Sequence, residues 1–395
     1  MTAQRMHGVT AKEFTRGARP ISDIAANIIG IVATAEDADA ATFPTGKPVY
    51  GNSAASLLEK AGTKGTLAKT LTAITDQGDA QIVVVRAETA ASGRSDTQNA
   101  EQKTAVIEAC KTLAKAQAHT GFKPKILGAP ELDDADVTAA LVVAANALDG
   151  FVYASAGGVE DITTLTQYRA GFGQKNLMLI DNEFIAYQKG EAATAATIGR
   201  ILGARAMLDT AVGPHKSISN AEIQGVSALK YPRSFGLLDI NSEANTINNA
   251  DITTLIRENG FRVWGNRTCS ADPVWAFEPT VRVASIIKET IAQSFLWAMD
   301  KPMHPSLMID IINGINAKLA EKVYQGWLLG AQVFIDPRKV EKSRVGNGIF
   351  AFDYEFTVAP PLENIELNQY VSDRFIVNLT DRVIEFASNL KPTTV

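Results

Sequence analysis

From about residue 90 to 270 the chain alternates β-branched runs with segments of helical period, and that alternation limits the possible folds more than any other feature. "AEQKTAVIEACKTLAKAQAH", "DVTAALVVAANAL" and "TAATIGRILGARAML" have helical period, whereas "PKILGAP", "GFVYASA", "NLMLIDN" and "FRVWGNRT" read as strands. Ahead of them, "NIIGIVATA" and "QIVVVRA" read as buried strands flanking a short helix, "NSAASLLEKAG". Asn52 or Ser53 would cap that helix and Gly62 would stop it. The pattern predicts an α/β unit: a three-layer, largely parallel sheet with helices on both faces.

The last third has a different character. "EPTVRVASIIKETIAQSFLWAMDKP" predicts a helix that Pro302 ends, and "HPSLMIDIINGINAKLAEKVYQG" a second with Pro305 in its first turn. Met308, Ile311, Ile312, Ile315, Leu319 and Val323 form an apolar stripe on the second, and Lys318, Glu321, Lys322 and Gln325 recur at i, i+3, i+4 and i+7. In "IFAFDYEFTVAPPLENIELNQY", Phe350, Phe352, Tyr354, Phe356 and Val358 alternate with Asp353, Glu355 and Thr357, a strand with one buried face. Helices followed by antiparallel strands make an α+β unit. Near the end, "RFIVNL" (374–379) alternates Phe375, Val377 and Leu379 with Arg374, Ile376 and Asn378 and predicts one more strand. Sequence alone leaves open whether that strand completes its own sheet or another copy's.

Composition narrows the function. With 395 residues, 46% hydrophobic and 21% charged, the chain has material for two or three structural units. A net charge of -5 without a basic block argues against nucleic acid or an anionic membrane as the main partner. Trp264, Trp275, Trp297 and Trp327 all follow residue 260 without a basic stripe, which assigns them to a core or a protein interface. Cys110 and Cys269 are too few for a disulfide framework and fit a reducing cytoplasm. The first residues lack the apolar region of a secretion signal, and no stretch approaches the roughly 20 apolar residues of a membrane helix.

Motifs for chemistry fail one after another. "GFGQKN" at Gly171 lacks the third glycine of a dinucleotide loop, and "GTKGTLAKT" at Gly62 lacks the Gly-Lys-Ser/Thr ending of a phosphate loop. "YASAGG" around Ser155 has Tyr153 where a nucleophile elbow needs glycine. His7, His119, His215 and His304 are scattered and read as surface or loop residues. Asp133, Asp134 and Asp136 stand at a helix start, where carboxylates cap N–H groups and offset the dipole. No catalytic residue, metal ligand or cofactor is assigned.

"HGVTAKEFTRGARPISDIAANIIGIVATAEDAD", "KPVYGNSAASLL", "VWGNRTCSADPVWAFEPTVRVASIIKETI", "VFIDPRKV" and "DYEFTVAPPLENIELNQYVSDRF" together resemble the major tail sheath protein of contractile-tailed bacteriophages. The likeness is to the peduovirus type and the related R-type pyocins and runs over essentially the whole length. It implies a non-enzymatic structural subunit that polymerises as stacked hexameric rings around an inner tail tube and contracts to drive the tube through the target envelope. Further implied partners are other copies of the chain, the baseplate and tail-terminator proteins, without direct nucleic acid contact or membrane insertion. The implied location is the virion tail, assembled in the host cytoplasm. The resemblance also implies an N-terminal arm (1–20), an outer α/β domain (21–272), an inner α+β domain (273–370) and a C-terminal arm (371–395). Terminal arm strands would be exchanged between subunits, with Val9, Ala11, Phe14, Phe375, Val377 and Leu379 on them and Phe352, Tyr354 and Phe356 on the receiving strand. A tube-facing helix is implied too, and Lys318, Glu321, Lys322 and Gln325 are its candidate contacts, with an ordinary solvated face as the alternative. The competing reading is a cytosolic α/β enzyme for a small molecule, closed into an oligomer by its arms.

Overall fold

Valine- and isoleucine-rich runs become strands because branched Cβ atoms pack well on a pleated surface and lose rotamer freedom in a helix. The computed structural model describes residues 21–90, 97, 99–188 and 191–389; Val9, Ala11 and Phe14 lie outside them. The chain opens as β1 (Ile29–Ala33), β2 (Pro48–Gly51), α1 (Ala54–Leu58), α2 (Leu67–Thr75) and β3 (Ile82–Arg86). It continues through α3 (Ala100–Leu113), α4 (Ala116–Thr120), β4 (Ile126–Gly128), α5 (Ala135–Leu148), β5 (Phe151–Ser155), α6 (Ile162–Ala170) and β6 (Leu177–Ile180). The six strands form one sheet in the order β2-β3-β1-β4-β5-β6, parallel except for the antiparallel edge strand β2. Alternate residues feed opposite cores: Ile29, Ile31, Ile82 and Val84 join Leu71 and Ile74 of α2. Val32, Val83 and Val85 instead join Val106 of α3 and Leu141 of α5. Ser53 caps α1 and Asp134 caps α5, each accepting from an N–H in the first turn.

Next come β7 (Phe184–Gln188), β8 (Glu191–Thr194), α7 (Thr197–Ala211), β9 (Glu222–Ile223), β10 (Ala228–Leu229), α8 (Glu243–Asn249), β11 (Thr254–Arg257) and β12 (Phe261–Trp264). Strands β7 to β12 assemble into two small three-stranded antiparallel sheets, β10-β7-β8 and β11-β12-β9. The run "FRVWGNRT" is therefore a strand outside the parallel sheet. Its neighbour is fixed by a tight turn in which Asn259 and Gly260 adopt left-handed φ of 48° and 108°, the Asn-Gly signal of a hairpin. Helix α7 covers the face already occupied by α2, and Gly203 permits the approach: a Cβ there would lie 2.8 Å from the Ile74 carbonyl oxygen.

The remaining elements are α9 (Glu278–Ser294), α10 (Pro305–Tyr324), β13 (Leu328–Phe334), α11 (Lys342–Gly346), β14 (Asp353–Val358) and α12 (Ile376–Ser388). Helix α9 stops at Ser294, well before Pro302, and a 3₁₀ turn, Leu296–Ala298, follows. A third core joins α9, α10 and the two strands through Val283, Ile287, Ile311, Ile315, Leu319 and Val358.

The chain divides into two compact units, Met1–Pro361 and Leu362–Val395. In the second, residues 362–372 form neither helix nor strand and α12 follows. The strand expected over "RFIVNL" is thus corrected: Phe375 precedes the first turn, and Val377 and Leu379 lie inside a helix. Six residues are too short a window to separate the two periods. Over the longer run, Ile376, Leu379, Val383 and Phe386 recur at i, i+3, i+7 and i+10, which is one helical face. Their side chains are exposed.

Candidate assembly surfaces

Two strands make up the sheet of the third core, and their register is well defined: Phe334 pairs with Asp353, Val333 with Tyr354 and Ala331 with Phe356. The pleat turns Tyr354, Phe356 and Val358 toward α9 and α10 and leaves Glu355 and Thr357 exposed. Phe352 lies one residue ahead of β14 and packs on the same core. Among the described residues neither outer edge of this pair has a strand partner. Among the described residues, then, both edges present N–H and C=O groups without a strand partner, a template for further strands.

Helix α10 places its charges differently from the expectation. Lys318 and Lys322 are buried, 6% and 2% exposed, so they are not an exposed ionic stripe. Ile311, Ile315, Lys318 and Lys322 step by 4, 3 and 4 residues along one ridge, and the lysines simply continue the buried row. Their ammonium groups meet a carboxylate from the other end of the chain: Asp23 Oδ1 lies 3.0 Å from Lys318 Nζ and Asp23 Oδ2 2.6 Å from Lys322 Nζ. Glu321 and Gln325 stay at the rim, where Gln325 donates to Glu321 at 3.1 Å. The uncovered face of α10 carries Asp310, Asn313, Asn316, Ala317, Ala320 and Tyr324.

A second set of charges, missed from the sequence, joins α7 to α9. Arg205 donates to Asp209 at 2.6 Å and to Glu278 at 3.2 Å, Arg282 donates to Asp209 at 2.9 Å, and Tyr153 donates to Glu278 at 2.6 Å. All four charged side chains are at most 2% exposed. Burial, then the adjacent Glu278 carboxylate, holds the Tyr153 phenol well above its usual range. Two guanidinium groups balance two carboxylates, so the network is neutral as a unit. A charged residue every four positions on both helices, at 205/209 and 278/282, is the signal the sequence offered.

A cavity of about 410 Å³ lies where the parallel strands end, lined among others by Glu131, Asp133, Ser155, Tyr168 and Glu183. Crevices at this edge of an open parallel sheet are the usual ligand positions of α/β enzymes. Here Glu131 pairs with Lys69 and Glu183 with Lys230, and Ser155 Oγ accepts from the Gly157 N–H at 3.2 Å. No histidine, cysteine or lysine is among the lining residues; the carboxylate nearest Ser155, Asp133, is engaged by the Ser155 backbone N–H. Among the described residues no cluster of metal-ligating side chains occurs, and no helix is long and apolar enough to cross a membrane. Asp133, expected to cap a helix with Asp134, is instead buried and accepts from the Ser155 N–H at 2.6 Å. His215, expected on the surface or in a loop, is half-buried in its loop and stacks on Trp327 with ring centroids 5.2 Å apart.

Comparison with known proteins identifies the family. Residues 105–269 match the phage tail sheath protein central domain, and residues 270–372 match the phage tail sheath C-terminal domain. The tail sheath protein of Escherichia phage P2 is 38% identical over 95% of this chain and 98% of its own. The major tail sheath protein of Serratia phage KSP20 is 36% identical over 95% of this chain and 97% of its own. Among solved structures, the contracted helical sheath of the anti-feeding prophage superposes with a TM-score of 0.71 at 17% identity, covering 94% of this chain and all of that one. The contracted sheath of the extracellular contractile injection system PVC gives a TM-score of 0.71 at 16% identity over 95% of this chain and 99% of that one. The chain belongs to the phage tail sheath protein family.

Proposed function

We propose that the chain is the structural subunit of a contractile tail sheath, polymerising as stacked hexameric rings around an inner tail tube and shortening to drive the tube through the target envelope. Its partners on this reading are other copies of itself, the tube, the baseplate and a tail terminator, in a virion tail assembled in the host cytoplasm. Residues 21–272 form the outer part and 273–370 the inner part. The reading needs no catalytic site: an open helical polymer whose subunit contacts have two packings does work once a trigger releases it.

The observation that carries the proposal is the β13–β14 pair, whose two edges have no strand partner among the described residues. Each edge accepts one strand from a neighbouring copy. The N-terminal strand is "GVTAKEF", residues 8–14. The C-terminal strand is residues 362–371, where Ile365, Leu367 and Val371 alternate with Glu366, Asn368 and Tyr370 and the apolar side chains are exposed. A five-residue strand contributes about five main-chain bonds near 1 kcal/mol each and roughly 1.5–3 kcal/mol per buried aliphatic side chain, offset by the cost of ordering the arm. Tube contact through α10 falls to its uncovered face, since Lys318 and Lys322 are engaged inside the subunit.

Electron microscopy of the full chain and of a chain ending at Pro361 tests this. The full chain is expected to form striated tubes, and the shortened chain to give folded, unassembled subunits whose circular dichroism loses only the contribution of α12 and whose melting stays cooperative. Ordered tubes from the shortened chain would exclude C-terminal strand exchange.

A further inference from the structure

Residues 21–27, at the root of the N-terminal segment, cross three helices. Ile21 packs on the third core, Asp23 bridges Lys318 and Lys322 of α10, and the Ile24 N–H donates to Thr290 Oγ1 of α9 at 3.4 Å. Arg282 of α9 donates to the Ala26 carbonyl at 3.3 Å, and Asn27 donates to Thr210 of α7 at 2.9 Å. The tightest of these joints is the carboxylate. Each of its oxygens takes one buried ammonium group, and the two lysines stand one turn apart on the same ridge.

That arrangement is costly unless all its members are present. Two adjacent ammonium groups out of water repel one another and lose hydration, and only bound carboxylates compensate. Glu321 serves Lys318 at 3.0 Å, whereas Lys322 has Asp23, the neutral Gln325 amide at 2.9 Å and the face of Trp327 at 3.8 Å. Lys322 thus depends on Asp23 for its nearest counter-charge; Glu321 stands at 3.7 Å. Apolar contacts along the segment yield one at a time under a pull, but a carboxylate held by two charge-assisted bonds releases only when both break.

We propose that Asp23, Lys318 and Lys322 form an electrostatic anchor that fixes the root of the N-terminal arm and passes load from a neighbouring subunit into the α9–α10 core. Asp23 is a positioning residue: it acts through Lys318 and Lys322. The inference rests on the arm-exchange reading. Within it, the anchor keeps the root of an arm paired to another subunit docked on its own α9–α10 core while the rings rearrange.

The test compares full chains carrying Asp23→Asn and Asp23→Glu with a chain lacking residues 2–20, measuring subunit melting by circular dichroism and the critical concentration for tube formation by light scattering. D23N is expected to fold with a melting temperature lowered by several degrees, and to need roughly tenfold more protein to assemble, equivalent to about 1.4 kcal/mol of lost contact. D23E keeps the charge and is expected to restore assembly. If D23N assembles at the normal concentration while removal of residues 2–20 abolishes tubes, the anchor is wrong and arm exchange stands. If removal of residues 2–20 leaves assembly normal, the N-terminal arm reading fails and takes the anchor with it. A D23N chain that no longer folds would make Asp23 an ordinary stability residue and overturn the proposal as well.

Discussion

Asp133 is the residue at which charge and burial conflict most plainly. Burial pushes its carboxyl up to about 7, against the Ser155 N–H that favours the charged form. In the unfolded chain the proton leaves near 3.8, so between about 4 and 7 the folded chain holds more protons than the unfolded one. Stability therefore falls as pH rises through that window and is flat above it. Asp133→Asn keeps the acceptor for Ser155 and removes the titration. Thermal unfolding followed between pH 5 and 8 should show the unmodified chain losing about 1–4 kcal/mol relative to D133N; parallel curves would refute the assignment. His215 acts with the opposite sign. Burial first, then Arg205 and Lys322, hold its imidazole below the usual range against the opposing pull of Asp209, with Lys216 adding least. The unfolded chain takes up that proton below about 6.5, so acid weakens the fold through His215, and H215N identifies its share of the slope.

Between elements, the neutral charge network of Arg205, Asp209, Glu278 and Arg282 fastens α7 to α9. Arg205→Met removes one cation and leaves two buried carboxylates facing a single guanidinium, a loss of about 3–5 kcal/mol. Urea unfolding should register it as a lower midpoint at unchanged slope, and a midpoint within error of the unmodified chain would show the pairing to be energetically idle. This network was hidden in the sequence because the partners are 73 residues apart, as in the Arg205–Glu278 bond, and helical spacing alone describes an exposed face equally well. The parallel strands were legible because burial on both faces leaves continuous Val/Ile runs such as "IVVVR". The Tyr354/Phe356/Val358 ladder was legible because one covered face imposes strict alternation. Lys318 and Lys322 were misread for the reason that Arg205 was missed: charge was equated with exposure, and the compensating Asp23 lies some 300 residues away.

At the scale of the whole chain, the sequence pattern changes near residue 270, where the two family matches meet. Which chain completes the β13–β14 sheet could not be read from the sequence, because a strand's sequence is the same whether its partner is in cis or in trans. The helix over Ile376–Ser388 sharpens that question. If the exchanged C-terminal strand is 362–371, then α12 lies beyond it and is not part of the sheet. A chain ending at Phe375 keeps the strand and loses the helix, and a chain ending at Pro361 loses both. The first is expected to form tubes of normal appearance, with a critical concentration raised by the loss of whatever α12 touches; the second is expected to remain as subunits. Electron microscopy of the two side by side separates the contributions. Equal failure of both would move the essential C-terminal contact from the extended strand to the helical face of Ile376, Leu379, Val383 and Phe386, and neighbouring copies would then be joined by side-chain packing where main-chain pairing is proposed.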